Sequence, residues 1–298
     1  MPQEKQIILD SKFENGFAVK PQMDGDNEII GYLTFGNPPL AEPTMVLAQW
    51  YCGYWNQDSG SEYARHNILN GELTCDGNLY EWRDASKRFS VDRKSGTLEL
   101  ELNASREYNY DRKEGEPWPH ILVEYKTEVL PLCEIRKMEL RLDFCLSKVK
   151  CHMTKEDPDL HTAQFVWYAI FKNNNAAKKD YGKYVWFGCT LYDSRFESIP
   201  FSAMVDGGKE VNTGMLIYKP NTKEYLATRP TIGEEQHVRY DLTAHMCAAY
   251  EETCRQKLFT DTEFSDLVID GGNIGWEVTG TYDVCMQVHQ MALCVECK

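Results

Sequence analysis

The chain has 298 residues, 42% of them hydrophobic, and a formal net charge of −14. A hydrophobic share of this size lets burial offset chain entropy, which excludes a disordered chain. The acidic balance repels phosphate backbones and anionic headgroups, which argues against general nucleic-acid binding and against docking on acidic membranes.

The amino terminus, MPQEKQIILDSKF, has no apolar core region and no small-residue cleavage site, so no secretory signal is expected. No run approaches the roughly 20 apolar residues that a membrane-spanning helix needs. The first aromatic cluster is Gln49 to Gln57 (QWYCGYWNQ). In a strand, Trp50, Cys52 and Tyr54 face one way, and Tyr51, Gly53 and Trp55 the other. One set can stack on a sugar while Asn56 and Gln57 offer hydrogen bonds, or both sets can pack in the core. Glu81-Trp82-Arg83-Asp84 forms a second, smaller cluster.

Thr97 to Leu102 alternates cleanly between apolar and polar residues, as does Met138 to Leu146. Period 2 of this kind predicts half-buried strands. Between them, Glu116-Pro117-Trp118-Pro119-His120 puts a Trp between prolines, which places it in a loop or at a sheet edge. Trp118 beside His120 is a ligand-contact candidate or a plug at the open end of a sandwich. Ile121 to Leu130 predicts a strand closed by Pro131. Lys148 to His161, the most charged linker-like stretch, is read as a long loop within one domain spanning residues 1–298.

Ala163 to Phe171 and Lys183 to Tyr192 are apolar and aromatic enough to be central strands covered on both faces. The second runs into Asp193-Ser194-Arg195, where a carboxylate and a guanidinium on one face can hold a polar ligand or pin a loop. Val211 to Tyr218 predicts a further strand. Asp241 then serves as an N-cap for a helix to about Lys257, with Leu242, Met246, Ala249, Tyr250 and Thr253 on one apolar face. This helix is expected to pack on the outside of a sheet. Gly275 to Val295 predicts two strands, or one bent around Gly280. At its start Trp276 and Glu277 point to opposite faces, and Glu277 in a cleft is a candidate general acid or nucleophile.

The 11 cysteines are irregularly spaced, which favours free thiols in a reducing, cytoplasmic compartment. Cys294 and Cys297 alone make a weak zinc signal, so neither a metal nor a cofactor is expected. Phosphate-binding loops, dinucleotide fingerprints and the serine-elbow and zinc-protease motifs are all absent. The reading is an all-β antiparallel sandwich, jelly-roll-like, with one late amphipathic helix.

Many strands, aromatic-rich segments and a single late helix together resemble the concanavalin-like lectin and glucanase superfamily. That resemblance implies a curved sandwich whose concave sheet binds carbohydrate. Glu124 to Glu128 and Glu197 onward do not match the paired-glutamate signature of its glucanase members, so no catalytic residue carries over. The leading expectation is recognition of a small neutral oligosaccharide. Trp50, Tyr54, Trp55, Trp118 and Trp276 would serve as stacking platforms. Asn56, Gln57, His120, Asp193 and Arg195 would be polar contacts. The first alternative is a glycoside hydrolase, with Glu277 and Asp193 catalytic and Glu81 and Glu124 further candidates, or a lyase using His120, His161 or Tyr192. The second is a structural protein whose aromatics form a homodimer face.

Overall fold

The computed structural model describes residues 4–20, 28–49, 66–207 and 213–298, together with the backbone of Tyr51 and Cys52. In chain order the strands begin with β1 (Glu4–Gln6), β2 (Phe17–Val19), β3 (Gly31–Leu33), β4 (Met45–Ala48) and β5 (Tyr51–Cys52). Next come β6 (Glu72–Asp76), β7 (Leu79–Arg83), β8 (Lys87–Asp92), β9 (Thr97–Asn103), β10 (Trp118–Tyr125) and β11 (Leu130–Pro131). The second half holds β12 (Ile135–Cys151), β13 (Ala163–Asn173), β14 (Tyr184–Asp193), β15 (Ser202–Val205), β16 (Leu216–Lys219) and β17 (Glu235–Asp241). Helix α1 (Thr243–Arg255) precedes β18 (Leu267–Val278) and β19 (Tyr282–Cys297).

The strands build two sheets, and the hydrophobic core lies between them. The smaller runs β17-β12-β19-β9-β8-β7-β6, with β1 also on β19. The larger runs β15-β16-β14-β13-β18-β10-β4-β2-β3, with β11 and β5 attached to β18 and β10. Pairing is antiparallel except for β14 with β16 and β2 with β4. This is the β-sandwich expected from the alternating pattern.

Strand β12 shows why the chain folds this way. Met138, Leu140, Leu142, Phe144 and Leu146 are buried in the core, while Arg141 and Asp143 between them reach the outer surface. Strand β13 sends Phe165, Trp167, Ala169 and Phe171 into the same core. Its outward Val166 and Tyr168 are buried as well, as expected of a central strand covered on both faces.

Local differences from the expected elements have physical causes. The charged stretch from Lys148 is strand as far as Cys151, and the remaining loop carries the chain from the smaller sheet to the larger. The strand expected over Ile121 to Leu130 stops at Tyr125, where Lys126 turns its N–H to the Thr44 carbonyl; Thr127 bridges to Ile8, and pairing with β18 resumes at Leu130. The last segment is two strands in different sheets, joined by the turn at Gly280, where a Cβ would lie 2.6 Å from the Tyr282 ring.

The N-cap of α1 is Leu242 rather than the expected Asp241; one residue earlier, Asp241 accepts from the Thr243 N–H at 2.9 Å. The helix does not lie flat on one sheet. It touches β12 of the smaller sheet and β14 of the larger, so Met246 and Ala249 complete the core along one side of the sandwich.

Candidate functional site

Register places three cross-strand rows on the outer face of the larger sheet. Side chains two residues apart share a face, so each row is set by strand pairing rather than by sequence proximity. The first row is His120, Glu277, Gln164 and Asp193, on β10, β18, β13 and β14 in turn. The second is Ala48, Leu122, Gly275, Val166 and Thr190. The third is Val46, Glu124, Asn273, Tyr168 and Gly188. Lys219 of β16 extends the third row, because Tyr218 pairs with Phe187 in the parallel ladder. Two polar rows thus flank a floor of small and apolar residues, and Gly275 leaves that floor without a side chain between Leu122 and Val166. The members of this middle row are all buried.

The charges of this face are unevenly matched. Asp193 is 2% exposed and fully engaged. Its Oδ1 accepts from the Arg195 backbone N–H and Nε, each at 3.0 Å. Its Oδ2 accepts from Gln164 Nε2 at 2.6 Å and from Arg195 Nη2 at 2.7 Å. The bonds to Asp193 in turn raise the Arg195 guanidinium above the usual arginine range. Glu124 accepts from Lys20 Nζ through both oxygens, at 2.9 and 2.6 Å. Glu277, half-buried between His120 and Gln164, has no ion pair or hydrogen bond among the described residues.

The third row ends in an aromatic and a cation. The Lys219 ammonium lies 5.4 Å from the centre of the Tyr168 ring. Burial alone would lower the Lys219 pKa, but Tyr168, Glu277 and Asp193 together hold it above the usual lysine value. Burial raises the Tyr168 phenol. The ring lies over Gly188, where a Cβ would come within 2.5 Å of it. Trp186 meets Tyr168 edge-on at 5.6 Å, and Tyr184 meets Trp186 at 5.2 Å, so the aromatic surface continues along β14.

The residues singled out in the sequence divide accordingly. Trp118, His120, Glu277, Asp193 and Arg195 come together at the first row and its ends. Trp118 opens β10 in register with Cys52. It tilts against His120 at 6.1 Å and carries the Arg112 guanidinium over its ring at 5.4 Å. Trp50, Tyr54, Trp55, Asn56 and Gln57 lie outside the described residues.

Trp276 must be corrected. It is fully buried in the core, against Phe165 at 5.0 Å and Tyr192 at 5.9 Å, and its Nε1–H donates to the Leu100 carbonyl of the opposite sheet at 3.1 Å. A side chain that spans the core cannot stack on a ligand.

The other candidates stand apart. Glu81 is on the smaller sheet, paired with Arg83 and Arg88. His161 is held on both ring nitrogens, by the Asp157 N–H at 3.1 Å and the Arg112 carbonyl at 2.7 Å. Tyr192 faces inward and accepts from Arg229 at 3.1 Å; beyond it Asp193, Phe196, Leu226 and Arg229 line a cleft at the end of β14. Cys294 and Cys297, three residues apart in one strand, point to opposite faces and do not converge. On the smaller sheet Glu99, Glu101 and Cys285 approach one another, but Arg88 sits among them, bonded to Glu101 at 2.6 Å and paired with Glu99.

Sequence reading missed Gln164, Tyr168, Thr190, Asn273 and Lys219. Gln164 had a signal, as a lone amide in an otherwise apolar strand. Lys219 had none, because β16 is too short to show a period.

No protein-family model matches the chain, and no curated protein sequence matches it. Solved structures do. One is the endoglucanase Cel12A from Rhodothermus marinus, at 10% identity and a TM-score of 0.42, covering 76% of this chain and 97% of that one. Another is a family 12 xyloglucanase from Bacillus licheniformis, at 9% and 0.41, covering 76% and 97%. A third is the xyloglucanase domain of NopAA, a type three effector from Sinorhizobium fredii solved with cellobiose, at 11% and 0.37, covering 78% and 100%. The likeness is one of architecture at low identity.

Proposed function

We propose that the outer face of the larger sheet is a carbohydrate-recognition surface. One observation carries this reading: Glu277, half-buried, makes no ion pair or hydrogen bond among the described residues and stands in a row of hydrogen-bonding side chains next to a row of small and apolar residues, with the Trp118 ring against its neighbour His120. Saccharides need that combination, with acceptors and donors for hydroxyls and an apolar or aromatic surface for the ring faces. Glycoside hydrolysis usually needs two carboxyl groups, about 5–5.5 Å apart when retaining and about 6.5–9.5 Å when inverting. The other carboxylates of the three rows, Asp193 and Glu124, are each neutralised by a cation. Recognition without cleavage is therefore the better-supported reading, and hydrolysis through Glu277 is second.

A thermal-shift screen of the purified protein against neutral and acidic oligosaccharides, with product analysis of each hit, tests both. A ligand of the native state raises apparent stability by mass action. A stabilising sugar recovered intact supports recognition. A sugar recovered cleaved turns the assignment to hydrolysis, and the absence of any shift overturns both.

A further inference from the structure

Two loops line a cleft at the end of β14. One, residues 194–201, joins β14 to β15, and the other, residues 220–234, joins β16 to β17. They are fastened at Ile199, whose N–H donates to Thr222 Oγ1 at 2.9 Å and whose carbonyl accepts from the Thr222 N–H at 3.1 Å. They are fastened again by Arg229, which donates to the Ser194 carbonyl at 3.2 Å and to Glu197 at 2.8 Å. The space between, part of it open to solvent, is about 400 Å³, and Phe196, Ile199, Leu226 and Pro230 give it apolar walls.

The Arg229 guanidinium is held firmly on one side and loosely on the other. Nη2 donates to the Tyr192 hydroxyl at 3.1 Å and to the Ser194 carbonyl, and the group lies 5.2 Å from the centre of the Tyr192 ring. Nη1 is paired with Glu197, whose side chain is 86% exposed. An ion pair open to water contributes little to stability, so Nη1 can exchange Glu197 for another carboxylate at small cost. The Tyr192 phenol is buried, and none of the described residues accepts its proton.

The charge of the lining favours an anion. Asp193, the one lining residue shared with the three rows, is neutralised by Arg195. Lys223 is exposed and forms no ion pair among the described residues. Arg229 and Lys223 against Glu197 leave the cleft locally positive on a chain of net charge −14. The distant acids do not cancel this, because charges beyond about 8 Å are largely screened at physiological ionic strength.

We propose that this cleft is a second ligand site, independent of the carbohydrate reading, and that it takes a small monocarboxylic acid with an apolar body. The ligand carboxylate replaces Glu197 on Arg229 Nη1 through a charge-assisted hydrogen bond, and the Tyr192 hydroxyl supplies a second donor. The body of the ligand lies against Phe196, Ile199 and Leu226, the combination of apolar wall and few polar anchors that small-molecule sites use. Glu197 competes for the same nitrogen, so the protein's own side chain sets the affinity.

Calorimetry with 4-methylpentanoate and benzoate, each against its amide, tests the site. At least one acid should bind about tenfold more tightly than its amide. Glu197→Ala changes an exposed position, removes the competing carboxylate, and should tighten that acid several-fold while leaving the amide unchanged. Arg229→Met should bring the acid down to the affinity of its amide, and Arg229→Lys should keep part of the preference. Failure of both acids to bind, equal affinity for acid and amide, an acid affinity unchanged by Glu197→Ala, or a preference that survives Arg229→Met overturns the proposal.

Discussion

Trp276 and Glu277 sit side by side in β18, yet strand alternation sends the indole into the core and the carboxylate to the outer face. Their substitutions should separate accordingly. Trp276→Ala removes a fully buried ring that bonds across to the other sheet, and is expected to cost about 3–5 kcal/mol. Urea denaturation measures this, and a loss below about 1 kcal/mol would place the indole outside the core. Glu277→Gln removes a charge that makes no ion pair or hydrogen bond but helps hold Lys219 protonated, so the loss of stability should stay below about 1 kcal/mol. The same variant should lose much of the stabilisation conferred by a bound saccharide; full retention would remove Glu277 from the recognition surface.

At the scale of elements, the β13–β14 pair holds both the third row and a buried anchor. Gly188→Ala would drive a Cβ to 2.5 Å from the Tyr168 ring. Overpacking of this kind is expected to cost about 1–3 kcal/mol. In a Tyr168→Ala background the same substitution should be nearly neutral, and a double-mutant cycle showing no coupling would contradict the contact.

The loop joining β13 to β14 is pinned by Asp180, which is 1% exposed. It accepts from the backbone N–H groups of Thr260 and Asp261, each at 2.6 Å, and pairs with Lys183 at 2.7 Å. Burial by itself would raise the Asp180 pKa, but Lys183 and the two N–H groups outweigh it and hold the carboxyl well below its ordinary value. The folded pKa is therefore below the unfolded value of about 3.9. The stabilisation is complete above that pH and is lost as pH falls towards the folded value. Asp180→Asn should lower stability at neutral pH and flatten its decline below about pH 4. An unchanged acid limb in pH-dependent urea titrations would show that the anchor contributes nothing.

Over the whole molecule, the ten described cysteines are free thiols, and several are core residues. Cys189 is fully buried at the inner face of β14, and burial pushes its thiol up. Cys75, Cys247 and Cys297 are exposed. A thiol reagent should label these three quickly in the native protein and reach all 11 cysteines of the chain only on unfolding. Several thiols missing from the denatured count would reveal disulfides.

Alternation along Met138 to Leu146 and Thr97 to Leu102 was enough to identify strands and their buried faces, because a period of two is a local property of the backbone. The same alternation already placed Trp276 and Glu277 on opposite faces, and the helix after Asp241 was legible from its apolar spacing. Which of the pair turns inward could not be read, because that depends on where the second sheet lies. The pairing of Asp193 with Arg195, two residues apart, was already an option in the sequence, whereas the level of Glu277 with His120 and Gln164, the bond of Gln164 to Asp193 and the arrival of Lys219 at Tyr168 were settled only by register between separate strands. Sequence by itself determined the sandwich and its alternating faces, and tertiary structure decided the site, since a cross-strand row is assembled from single residues of separate strands.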